Sequence, residues 1–98
     1  MRTVIETPTF EKLANKIWSE DERLAFVSYI SSHPKAGDVI PGADGARKIR
    51  WSVKGSGKSG GVRVIYFNED ENGVIYLVMI YKKSEKENMT SSEIKQQL

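Results

Sequence analysis

Eight consecutive apolar residues, 74–81 (VIYLVMIY), constrain this 98-residue chain more than any other stretch. A half-exposed strand alternates apolar and polar side chains, whereas this run has no polar face to give to water. It therefore reads as a central strand, with a helical layer on one side and something else partly covering the other. Residues 69–73 (EDENG) precede it and carry an Asn-Gly hairpin signal, and 62–68 before them form another strand-like segment. Across 47–53 the residues alternate, with Lys48, Arg50, Ser52 and then Lys54 on one face and Ile49, Trp51 and Val53 on the other. The glycine-rich 55–61 (GSGKSGG) joins the two as a turn. The expectation is a three-stranded antiparallel meander.

The N-terminal third supplies the cover. Residues 2–6 (RTVIE) are a short β-branched run that reads as an edge or opening strand. Thr7 and Pro8 fit the N-cap and first position of a helix in which Phe10, Leu13, Ala14, Ile17 and Trp18 recur at three- and four-residue spacing. Ser19 with Glu22 makes a capping box for a second helix through Leu24, Phe26, Val27 and Ile30, which must end near His33 because Pro34 follows. Residues 37–45 (GDVIPGADG) read as a loop or a string of turns, and 82–88 are polar. A second capping box at 90–93, with Met89 and Ile94 placed as a hydrophobic staple, predicts a short, exposed C-terminal helix. The sum is one small α+β domain over 1–98, a strand and helical hairpin packed on an antiparallel meander.

Charge is segregated along this frame. Between Arg47 and Arg63 the chain carries Arg47, Lys48, Arg50, Lys54, Lys58 and Arg63 with no acid, leaving nine cations against all 13 acidic residues elsewhere. A cationic, glycine-rich stretch is suited to a polyanion, most commonly nucleic acid, although a solvated hairpin has the same composition. There is no cysteine and only one histidine, which excludes a disulfide framework and a thiolate nucleophile and argues against a zinc site. The apolar run at 74–81 is far below the ~20 residues of a membrane helix, and no signal-type apolar segment opens the sequence. A cytoplasmic protein without membrane attachment and without cofactor or metal is expected.

Individual motifs have bland and sharp interpretations. Gly57-Lys58-Ser59 ends like a phosphate loop, but Ser52 stands where that motif needs glycine, and β-rich sequence follows where it needs a helix. His33 could be a general acid or base, yet its place in a last helical turn fits a partner for free carbonyls better. Trp51 could stack on a base, but the alternation puts it opposite Lys48 and Arg50, on the core side. Arg63 lies among Gly61, Val62, Val64 and Ile65, where it must meet either an acid or a ligand phosphate. Glu69, Asp70 and Glu71 fit a hairpin turn better than a metal cluster.

The order of elements, together with the strings AGDVIPGADGARKIRWSVKGSGKSGGVRVIYF and IYLVMIYKKSEKENMTSSE, resembles the RelE/HigB toxins of type II toxin–antitoxin modules, and the HigB branch most. The resemblance implies a RelE-like fold with a basic concave face and ribosome-dependent, metal-independent cleavage of mRNA in the A site. It matches Arg63 to the arginine that contacts the scissile phosphate, Lys54 to the lysine before the loop and Lys83 to the lysine of the C-terminal tract, giving Lys54, Arg63 and Lys83 as the catalytic set. Lys48 and Arg50 match basic strand positions, and with Lys58 and Lys82 they would hold RNA. The resemblance also implies a helix-turn-helix antitoxin, through which alone the complex would meet operator DNA, and the 70S ribosome as the other partner. A gyrase poison of the same fold, like the ParE proteins, and a binding module without chemistry are the alternatives.

Overall fold

The computed structural model describes residues 1–52, 61–83 and 94. In chain order it runs β1 (Thr3–Glu6), α1 (Pro8–Ile17), α2 (Glu20–Ser32), β2 (Asp38–Val39), β3 (Arg47–Trp51), β4 (Val62–Glu69) and β5 (Val74–Lys82). The strands form one sheet in the order β1-β5-β4-β3-β2. The apolar run has become β5, paired parallel with β1 and antiparallel with β4, so the segment with no polar face has neighbours on both edges.

Local chemistry sets both helices. Thr7 caps α1 by accepting the Phe10 amide at 3.2 Å, and its hydroxyl donates to the Leu77 carbonyl at 2.9 Å, so the cap also pins the helix to β5. At α2 the capping box closes reciprocally: the Glu22 amide donates to Ser19 Oγ at 3.2 Å, and the Ser19 amide donates to Glu22 Oε1 at 3.0 Å. His33 ends the helix with its Nδ1 paired to the Tyr29 carbonyl at 2.9 Å. The helices bury Phe10, Ala14, Trp18, Phe26 and Ile30 against Ile49, Val64, Tyr66, Ile75, Leu77 and Ile80. Each large side chain removed from water here contributes roughly 1.5–3 kcal/mol. This is the main core.

The opposite face of the sheet has a core of its own. A smaller cluster of Ala43, Ala46, Ile65, Tyr81 and Ile94 lies there, with Ile40, Phe67 and Met79 against it. A register shift opposite Ile65 and Tyr66 makes this division possible. Ile65 pairs with Met79 while Tyr66 pairs with Leu77, which leaves Val78 as the extra residue of a bulge. Before the bulge Ile75 and Leu77 point to the helices; after it Ile80 does, and Met79 and Tyr81 turn to the other side. One inserted residue thus reassigns the faces of the strand's last turn.

Three expectations need correction or limits. The segment 37–45 is not only turns, because Asp38 and Val39 pair with Lys48 and Arg47 as β2. Two residues are too short to show a period of two, so the strand exists through its partner. Ile94 is helical, but at 1 % exposure it is buried, not displayed on an exposed helix. The rest of that helix with its capping box, and the turn at 55–60, lie outside the described residues.

Candidate nucleic-acid interface

Strand pairing assembles the cations. Arg50 stands opposite Arg63 across β3 and β4, and Arg63 stands opposite Tyr81 across β4 and β5. All three occupy the face away from the helices. Lys48 shares it through its pairing with Ile65, and Lys83 follows two residues after Tyr81. Lys48, Arg50, Arg63 and Lys83 line an open groove of about 710 Å³, in which Asp38 is the single acidic residue among the described lining residues. Elsewhere on the surface, ion pairs join Arg2 to Asp70 and Arg23 to Glu6 and Glu20. Among the described residues the groove thus brings four cations to one concave surface, an arrangement that favours a polyanion.

Arg63 is the buried member, at 6 % exposure. Its Nη1 donates to the Val62 carbonyl at 3.4 Å, and a planar guanidinium has the fork geometry that matches a phosphate. Gly61 just before it adopts φ +68°, and a side chain there would run into the Trp51 carbonyl. Glycine therefore sets how closely β4 approaches the end of β3.

A lip of backbone, 34–38, closes one side of the groove. Tyr66, fully buried, sends its hydroxyl up to it: the Gly37 amide donates to the Tyr66 oxygen at 2.9 Å, and that hydroxyl donates to the Pro34 carbonyl at 2.9 Å. Asn68 Nδ2 adds a bond to the same Pro34 carbonyl at 2.7 Å. Burial raises the Tyr66 pKa, with the Gly37 amide opposing the shift. At Gly37 a Cβ would come within 2.8 Å of the Lys48 carbonyl and 2.9 Å of the Tyr66 ring, so the lip passes flush against β3. Arg47, the first cation of the basic stretch, donates to the Gly37 carbonyl at 2.7 Å and serves the lip instead of the groove.

The expected residues divide accordingly. Lys48, Arg50, Arg63 and Lys83 come together. Lys82 does not join them: it pairs with Val62, whose side chain belongs to the helix-side core, and is exposed on that opposite face. Lys54 and Lys58 lie outside the described residues. Trp51 packs edge-on against Phe26 at 5.2 Å, as the alternation predicts, yet it also lines the groove with Tyr29. His33 has its structural role, stacked on Tyr29 at 4.3 Å. Tyr29, Gly37 and Asp38 were not legible as site residues, since only β2 pairing and the return of α2 bring them there. Among the described residues no group of His, Cys, Asp or Glu could hold a metal ion, and no helix is long and apolar enough to cross a membrane.

Comparison with known proteins bears on the fold and the family. Residues 2–98 match the family model of the RelE toxin of the RelE/RelB toxin-antitoxin system. Among solved structures, a free E. coli RelE toxin mutant superposes with a TM-score of 0.67 at 19% identity, covering 99% of this chain and 97% of that one. The intact E. coli RelBE toxin-antitoxin complex gives a TM-score of 0.64 at 19% identity, covering 84% of this chain and 96% of the other. At that identity the two structures speak to the fold, and the family model covers nearly the whole sequence. Matched by that family model over residues 2–98 and built on a mixed sheet packed against the α1–α2 hairpin, this chain belongs to the RelE toxin family.

Proposed function

We propose that this toxin is a ribosome-dependent endoribonuclease that cleaves mRNA in the A site. The observation that carries the proposal is the convergence of Lys48, Arg50, Arg63 and Lys83 in one groove. In the reaction the 2′-OH of a positioned nucleotide attacks its own 3′ phosphate, and the 5′-oxygen of the next nucleotide leaves. The protein has three tasks: to orient the RNA, to move protons and to neutralise a dianionic phosphorane. Arg63, held by its buried surroundings, offers a fixed guanidinium to the phosphate, which is the electrostatic part of the catalysis. Lys83, which lines the same groove, and Lys54, which lies outside the described residues, are assigned to proton transfer and phosphate stabilisation. Lys48, Arg50 and Lys58 hold the RNA or ribosomal RNA backbone. No metal has a part in this scheme.

A cognate antitoxin of the helix-turn-helix class would neutralise the toxin and carry it to operator DNA. The family and the existence of a related toxin-antitoxin complex support a proteinaceous partner. A toxin that acts on the ribosome would do so in the cytoplasm. Poisoning of DNA gyrase is the rival activity, and a groove lined by four cations favours the RNA. Mapping of mRNA 5′ ends after brief induction tests the proposal: new ends inside translated codons are expected, with isolated RNA left intact. Gyrase-dependent DNA breaks with unchanged mRNA ends would overturn it.

A further inference from the structure

A second hollow adjoins the cationic groove. It measures about 540 Å³, opens between α2 and β3, and is lined by Glu22, Ala25, Arg50, Trp51 and Ser52. The groove and the hollow share Arg50 and Trp51, so the end of β3 borders both. Their chemistry differs. The groove is lined by four cations, whereas the hollow offers an indole and the methyl group of Ala25 beside one cation and one acid.

The indole is fixed from the core side. Phe26 meets it edge-on at 5.2 Å and 84°, and Tyr29 lies against it at 5.2 Å and 46°. Tyr29 is itself backed by His33, stacked at 4.3 Å and 12°. Trp51 stays half-buried and still lines both depressions. A ring braced in this way loses little further freedom when a flat ligand stacks on it. Ala25 is exposed on α2, and its small side chain leaves the hollow open.

We infer that this hollow receives one nucleobase of a single-stranded RNA whose phosphates lie along the neighbouring groove, with Trp51 as the stacking surface and Arg50 at the junction of base and phosphate. The inference rests on the RNA reading above and adds to it a base-binding subsite. Charge and continuity single out this occupant: a polyanion drawn to Arg50, Arg63 and Lys83 presents its bases beside its backbone, and the apolar depression next to the cations suits a π-face.

The test follows tryptophan fluorescence on titration with an uncleavable 2′-O-methyl oligonucleotide and with an abasic chain of equal length. Base-dependent quenching is expected, lost in Trp51→Phe, where Trp18 alone reports. Ala25→Leu, a substitution at an exposed helix position by a good helix former, should fill the hollow and weaken the base-bearing oligonucleotide on the order of ten-fold while leaving the abasic chain unchanged. Equal quenching by both chains, no quenching, or an unaffected Ala25→Leu variant overturns the inference. So does loss of antitoxin binding in Ala25→Leu with oligonucleotide quenching intact, which would assign the hollow to the protein partner. The 5′-end map reports separately: unchanged mRNA ends after wild-type induction sink the nuclease reading, while the fluorescence still decides the hollow.

Discussion

Arg50 and Arg63 are directly opposed across β3 and β4, on the face turned away from the helices. Like charges directly opposite one another are unfavourable in a sheet. A phosphate between or above the two guanidinium groups would convert that repulsion into binding. Replacement of Arg50 by Thr, a good strand former, should therefore leave the thermal midpoint unchanged or slightly raised while toxicity falls. A midpoint lowered by several degrees would make Arg50 a structural residue.

Arg63→Ala should remove growth inhibition altogether. Loss of one fixed charge donor to a transition state costs about 10²–10³ in rate. Circular dichroism should show the fold retained, and an equally toxic, folded variant would take Arg63 out of the site.

The bulge at Val78 makes a sharp distinction between neighbours. Lys83→Ala should weaken toxicity, because Lys83 lines the groove, and Lys82→Ala should not, because Lys82 lies on the opposite face. Growth assays on the two variants decide the point. Equal effects would mean that the last turn of β5 is not divided as the register shows.

Ribosome affinity should fall steeply with salt. Each phosphate neutralised adds about 0.7–0.9 to the slope of log affinity against log salt. Lys48→Ala should reduce the slope by about one such increment, and a flat dependence in the wild type would remove the groove from RNA binding.

Tyr66→Phe should lower stability by about 1–3 kcal/mol, since the Gly37 amide and the Pro34 carbonyl lose a buried partner. The folded-state pKa of Tyr66 is raised above its ordinary value by burial, so its contribution is fully present below about pH 10. Above that the unfolded chain deprotonates first, and stability falls as pH rises. Tyr76 shifts the same way through its hydrogen bond to Glu69, so the alkaline decline of the thermal midpoint should be smaller in Tyr66→Phe without vanishing.

Much of the frame was written locally. Thr7-Pro8, the Ser19 and Glu22 capping box and the stop at Pro34 act over three or four residues, and both helices begin and end where those signals stand. The unbroken apolar run had to be interior, and it is. Alternation across 47–51 placed Lys48 and Arg50 opposite Ile49 and Trp51, because a strand's period of two does not depend on distant partners. The family likeness supplied Arg63 and Lys83 as partners for those cations.

Other features arise only when segments distant in sequence meet. A run apolar on both faces carries no mark of where a bulge falls, so the face taken by Tyr81 and Lys83 is decided by the pairing of β5 with β4. The two-residue β2 exists because Arg47 and Lys48 offer it an edge. The groove lip depends on Tyr66 reaching 29 residues back to Gly37. The run 74–81 by itself determined that this chain folds around a buried strand. Tertiary pairing decided which of its residues face the helices and which complete a cationic groove, since register is a property of two strands and not of one.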